Sequence, residues 1–133
     1  LNLYFFKLYN VPEFLNILRS YEIGLLLIIS SLIIFIISIN TFNKVDENPI
    51  PTSSTTQIIS RSIYRYTRNP MYLAMLILQV GIGMSLSMIH IIFFTIFTYM
   101  ILKYYVILPE EKYLEKKFRA KYLVYKKIVR RWL

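Results

Sequence analysis

The residues of this chain best equipped for chemistry fall into two short blocks, RYTRNPMY at 65–72 and EE at 110–111. Arg65, Arg68, Asn69 and Tyr72 in the first, with Glu110 and Glu111 in the second, combine both signs of charge with several hydrogen-bond donors. Such a set suits a zwitterion. Guanidinium or exposed backbone N–H groups take a carboxylate or phosphate, and a carboxylate takes an ammonium or a pair of hydroxyls. A plainer reading also exists: arginines at the rim of an apolar segment set topology, a tyrosine there anchors the interface, and adjacent glutamates are solvated counterions. Spacing alone leaves both open.

The elements that must position these residues are those of a membrane protein. The chain has 133 residues, one domain at most, is 56% hydrophobic and 17% aromatic, and has a mean hydropathy of +0.50. Its charge is confined to blocks that leave long uncharged stretches between them. The absence of cysteine excludes disulfides, thiolate metal sites and cysteine nucleophiles, and a single histidine, His90, argues against a histidine metal cage or a Ser-His-Asp triad. No metal site is expected. The net charge is +9, but residues 103–133 hold ten Lys/Arg against three Glu beside a hydrophobic span. Clusters placed there meet anionic lipid head groups, at about 1 kcal/mol per basic residue, so membrane lipids rather than nucleic acid are the expected partners.

Residues 1–22 read as an interfacial segment or the remnant of an upstream one, because Lys7, Pro12, Glu13 and Arg19 interrupt any span. Residues 23–40, IGLLLIISSLIIFIISIN, form the clearest transmembrane helix, about 27 Å long at 1.5 Å per residue. Ser30, Ser31 and Ser38 can bond back to their own helix. Residues 41–70 are a polar loop with arginines at its end, and 71–108 a transmembrane hairpin that turns near 85–90. Gly81 and Gly83 allow close helix approach there. Leu108-Pro109 is expected to end the hairpin. Beyond it, Leu114, Phe118, Tyr122, Tyr125 and Val129 recur at helical spacing among lysines, predicting one amphipathic helix on the membrane surface.

The fold expected is therefore all-α and polytopic: about three transmembrane helices, one span plus a helical hairpin, with a C-terminal amphipathic helix. Four Lys/Arg in 41–72 and ten in the tail, against none in the hairpin turn, place the loop 41–70 and the C-terminus in the cytoplasm. A hairpin brings Arg65–Tyr72 and Glu110–Glu111 to one membrane surface.

SIYRYTRNPMYL, followed 41 residues after Asn69 by EEKYLEKKFRAKYLVYKKIVRR, resembles the catalytic half of the isoprenylcysteine carboxyl methyltransferase and phospholipid methyltransferase superfamily. Those proteins share a G-x-Y-R-x-x-R-[HN]-P-x-Y segment, a hairpin, then E-E-x-x-L-x-x-x-F-G-x-x-Y-x-x-Y. Tyr64, Arg65, Arg68, Asn69, Pro70 and Tyr72 align with the first block. Glu110, Glu111, Leu114, Phe118, Tyr122 and Tyr125, with a closing Val129 and Arg131, align with the second. Ser62 and Arg119 stand where the pattern has glycine, and Asn69 where the prenylcysteine enzymes have histidine.

The resemblance implies S-adenosylmethionine bound at the cytosolic face, held by the tail 109–133. Glu110 and Glu111 are its candidates for the cofactor's ammonium or ribose hydroxyls, Arg65 and Arg68 the candidate catalytic residues gripping its carboxylate, and Tyr64, Asn69 and Tyr72 the cofactor-pocket walls. It implies a lipidic or prenylated substrate entering from the bilayer. The most direct activity is O-methylation of the carboxylate of a prenylated cysteine or similar lipidic acid, since a carboxylate is already ionised whereas an amine must first lose a proton. The alternatives are a lipid-amine N-methyltransferase and a non-catalytic membrane protein whose basic tail binds lipid or a partner.

Overall fold

The computed structural model describes residues 20–47 and 56–133, together with residue 17. The expectations for most of residues 1–22 and for the middle of the polar loop lie outside the described residues. All regular structure among the described residues is helical. Helix α1 runs Tyr21–Asn43; after the loop come a short 3₁₀ turn at Ser62–Arg65, α2 (Pro70–Ser85), α3 (Ile89–Ile101), a π-helical stretch Leu102–Ile107, α4 (Leu108–Phe118) and α5 (Ala120–Ile128).

Ser20 caps α1, its hydroxyl accepting from the Ile23 N–H at 3.4 Å. The 23 residues of α1 are enough to span a bilayer, and so is the unbroken 30-residue helix Ile89–Phe118; α2 is apolar but shorter, at 16 residues. Outward faces carry Leu26, Ile33 and Ile36 on α1 and Phe93, Phe94 and Phe97 on α3, all exposed. Apolar side chains turned outward over this length are what a lipid solvent asks for.

The tightest packing is between α1 and α2, and small residues create it. Gly24, Ser31 and Ser38 recur every seventh residue on the buried face of α1, joined by Thr41, and Ala74 and Gly81 do the same on α2. A Cβ added at Gly24 would sit 2.5 Å from the Ser85 nitrogen and 2.8 Å from the Gly81 oxygen, so the two backbones touch. Ser31, Ser38 and Thr41 donate to carbonyls three or four residues back, each at 2.7 Å, so their burial leaves no unmet hydroxyl. Gly83 does the equivalent work across the hairpin, against Ile91 and Ile92. The turn closes through Ser87 at φ 54° and a 2.7 Å bond from Met88 N–H to Gly83 O, a Schellman-type ending.

Two expectations about the second half need correction. Pro109 does not end the hairpin; the helix passes through it. The preceding turns widen to π geometry, with Leu108 N–H donating to Lys103 O five residues back. That wider turn relieves the clash between a proline ring and the carbonyl four residues earlier. The C-terminal amphipathic helix is not continuous either. Arg119, at φ 45° and ψ −119°, breaks it into α4 and α5. Glycine enters that region freely and side-chain-bearing residues rarely do. Ser62, at φ 55°, is strained similarly. Both are the positions where the resembled pattern carries glycine.

Two stability outcomes follow, each read as thermal unfolding in detergent. Gly24→Ala should cost about 1–3 kcal/mol, because its new methyl meets backbone. Arg119→Gly should stabilise by about 1 kcal/mol, since about 1–3 kcal/mol of strain is relieved against about 0.5–1 kcal/mol of added chain entropy.

Candidate functional site

The uninterrupted rod from α3 into α4 carries Glu110 and Glu111 to the end of the hairpin where α2 begins. Pro70 opens α2 at a position where its missing N–H costs nothing. Asn69, which precedes it, does not cap the helix. Its Nδ2 donates instead to Arg131 O at 3.1 Å, and the Thr67 hydroxyl donates to the same carbonyl at 3.0 Å. With Arg68 N–H donating to Arg130 O at 3.0 Å, and Trp132 against Tyr99 at 5.5 Å between ring centroids, the C-terminal residues are strapped across the start of α2.

Glu111 is buried at the centre of this strap. Arg131 grips it with both arms of a fork, Nε to Oε1 and Nη2 to Oε2 at 2.9 Å each, and Arg68 Nη1 lies 3.0 Å from Oε1. Burial by itself pushes the Glu111 carboxyl up, but the Arg131 bonds and the charges of Arg68 and Arg131 outweigh it and hold the group below the usual carboxylate range. Glu110 is in the opposite state. Its Oε2 accepts from the Tyr72 hydroxyl at 3.1 Å. Among the described residues it forms no ion pair. Burial raises it; the Tyr72 bond works against that rise and the neighbouring Glu111 charge adds to it.

Arg68 supplies the other unusual feature. Its side chain is only 8% exposed, yet Nε and Nη1 have no hydrogen-bond acceptor; Nη1 is within ion-pair distance of Glu111 but not directed along a hydrogen bond. Orphaned donors this deep are costly. Beside them is a chamber of about 70 Å³, bounded by Tyr64, Arg68, Asn69, Glu110, Glu111 and Tyr125, among others. Tyr64, packed edge-on against Phe42 at 5.5 Å, and Tyr125, whose hydroxyl donates to Tyr64 O at 2.8 Å, are pushed by burial well above the ordinary phenol range. They stay neutral. One wall is pinned from the loop: Thr56 N–H and Gln57 N–H donate to the buried Glu47 Oε1 at 2.8 and 3.1 Å, and Gln57 and Ile58 line the chamber.

Six of the seven residues singled out in the sequence thus come together: Tyr64, Arg68, Asn69, Tyr72, Glu110 and Glu111. Arg65 does not join them. It is exposed, and lines a separate cleft with Lys121. Sequence reasoning assigned no role to Arg131, the chief partner of Glu111, because the final arginines read as topology charge. Its alignment with the closing arginine of the pattern was the available signal. Nothing in the sequence flagged Glu47.

A family model described as Phospholipid methyltransferase matches residues 19–121, well over half the chain. The chain belongs to the phospholipid methyltransferase family. Comparison with curated proteins and with solved structures returns no match. Membership makes this an integral membrane methyltransferase acting on lipid-like substrates, which accounts for the outward apolar faces of α1 and α3. The family match stops short of Arg131 and most of the strap.

The two glutamates should separate by pH. A carboxyl held below its unfolded value contributes stability above the ordinary carboxylate range and loses it as pH falls through the folded value. Glu111 is of that kind; Glu110, raised, is the reverse. Glu111→Gln should therefore cost about 3–5 kcal/mol near neutrality, by stranding two arginines, and flatten the acid limb of the stability profile. Glu110→Gln should leave neutral-pH stability intact or slightly higher. Thermal melts across the acid-to-neutral range check both; equal melting of Glu111→Gln and wild type would contradict the role given to Glu111.

Proposed function

We propose that the chain is an S-adenosylmethionine-dependent methyltransferase that O-methylates the carboxylate of a lipid-borne acid, such as a prenylated cysteine. The observation that carries the cofactor reading is the pair of acceptor-less Arg68 nitrogens beside the uncommitted Glu110. Their chemistry fits the amino-acid end of that cofactor. Arg68 Nε, with Nη1 turned from its undirected ion pair to Glu111, would hold its carboxylate and Glu110 its ammonium, with Asn69 and Tyr64 shaping the wall and Tyr72 bonded to Glu110. When bound, the cofactor supplies an electrophilic methyl on a positively charged sulfur whose departure leaves a neutral thioether.

This chain's residues then have little acid–base work to do. A carboxylate acceptor arrives ionised, so the demand is for alignment and exclusion of water. Glu111 with Arg131 keeps the Arg68 guanidinium in place, and the buried Tyr64 and Tyr122, with the half-buried Tyr125, wall the chamber against water. His90 is no candidate base. It lies at the hairpin turn, about 30 Å of helix from Glu110. The positive charge of the loop and tail supports a cytoplasmic location for this end of the molecule.

A second reading, methylation of a lipid amine, is favoured by the family description and by Glu110. A half-buried carboxylate that holds a proton more readily than usual is suited to accept one from an ammonium head group.

Calorimetry of S-adenosylmethionine binding to the detergent-purified chain tests the cofactor site. Wild type should bind saturably. Arg68→Lys, which cannot present two nitrogens, and Glu110→Gln should each weaken binding roughly tenfold or more. Folded protein that fails to bind, or variants that bind like wild type, would overturn the assignment.

A further inference from the structure

Arg65, left out of the chamber, belongs to a larger cavity of about 730 Å³ between the segment 56–60 and α5. Its basic groups are Arg65 and Lys121, and no acidic side chain lines it among the described residues. Its apolar wall comes from Ile58, Phe118, Val124 and Ile128, of which Val124 is 57% and Ile128 76% exposed. Two bases without an acid, set against exposed aliphatic side chains, make a poor site for the cofactor, whose sulfonium gives it a net positive charge. They make a good one for an anion with a hydrocarbon tail.

Two continuities relate this cleft to the rest of the molecule. Gln57, Ile58 and Tyr125 border both the cleft and the chamber beside Glu110, so a head group in the cleft lies next to the chamber. Arg65 also borders a second open groove, formed with Ile63, Tyr66 and Ile37. Ile37 is on the outward apolar face of α1, and Tyr66 is 72% exposed. The groove that opens at the outer surface of α1 and the cleft thus meet at Arg65.

We propose that this cleft is the acceptor site, and that Arg65 and Lys121 select a carboxylate-bearing, single-chain amphiphile by clasping its head group while its chain lies on Ile58, Val124 and Ile128. The inference rests on the methyl-transfer reading and adds the residues that choose the acceptor and the sign of charge they choose. A head group bearing an amine alone would bring a third positive charge to Arg65 and Lys121; an aminophospholipid also carries a phosphate, so a lysophospholipid sets carboxylate against phosphate.

The test separates the cleft from the cofactor chemistry by measuring acceptor binding without cofactor. The full chain in neutral detergent is titrated with N-acetyl-S-farnesylcysteine, with its methyl ester, and with a lysophosphatidylethanolamine. The acid should bind saturably and at least tenfold more tightly than either of the others. Arg65→Gln/Lys121→Gln should abolish that preference, while Lys112→Gln/Lys116→Gln, which removes the same charge from exposed lysines outside the cleft, should keep it. Equal binding of acid and ester, tighter binding of the lysophospholipid, or equal loss in the two double variants would each overturn the proposal. S-adenosylmethionine binding to Arg65→Gln/Lys121→Gln should match wild type. If the acid preference holds but no variant or wild type binds S-adenosylmethionine, the cleft stands and the methyltransferase reading fails; the converse result fails the cleft alone.

Discussion

Burial of Glu111 between Arg68 and Arg131 is the constraint on which the site depends. A carboxylate this enclosed is stable only while both guanidinium groups remain. Keeping them there requires the C-terminal strap, through the bonds of Thr67, Asn69 and Arg68 to the backbone of residues 130–131. The strap in turn holds the start of α2 against α4. One ion cluster thus joins three stretches far apart in sequence. It also leaves the site with one spent carboxylate, one carboxylate in Glu110 outside any ion pair, and a guanidinium whose Nε has no acceptor and whose Nη1 meets Glu111 without a directed hydrogen bond.

The rest of the fold serves to hold that cluster in position. Backbone contact at Gly24 and Gly81 draws α1 against α2, and the Schellman-type turn after Ser85 returns α3 alongside. The π-helical stretch lets the helix continue through Pro109, so that Glu110 and Glu111 ride on a rigid element rather than a loop. At Arg119 the chain then accepts local strain to fold α5 back beside the chamber. Arg119 N–H still closes the last turn of α4 on Glu115 O, and the Glu115–Lys126 ion pair spans the bend.

Much of this was legible in the sequence because lipid imposes simple patterns. Runs of Ile and Leu marked α1 and the hairpin, SLSMIH marked its turn, and charge asymmetry put the two polar blocks at one end. The convergence of Arg68, Asn69 and Tyr72 on Glu110 and Glu111 followed from that hairpin. What could not be read depended on tertiary context. A proline ordinarily stops a helix, and only a turn of altered pitch let Pro109 pass. Arg119 stood out only as a departure from the glycine of the pattern, and its backbone angle was needed to show the bend. The division of labour between Glu110 and Glu111 was hidden because adjacent identical residues differ here only in who surrounds them. Arg65 and Arg68 share a motif but face different cavities, a distinction that three residues of spacing does not reveal.

The most direct test of the account is transfer itself. The detergent-purified chain would be incubated with S-adenosylmethionine carrying a deuterated methyl group, together with a prenylated cysteine and an aminophospholipid, and the products read by mass spectrometry. The account predicts a deuterated methyl ester on the prenylated cysteine, formed by wild type and lost in Glu110→Gln and Arg68→Lys. Label on the aminophospholipid nitrogen instead would contradict the acceptor assignment, and transfer unaffected by either substitution would contradict the site.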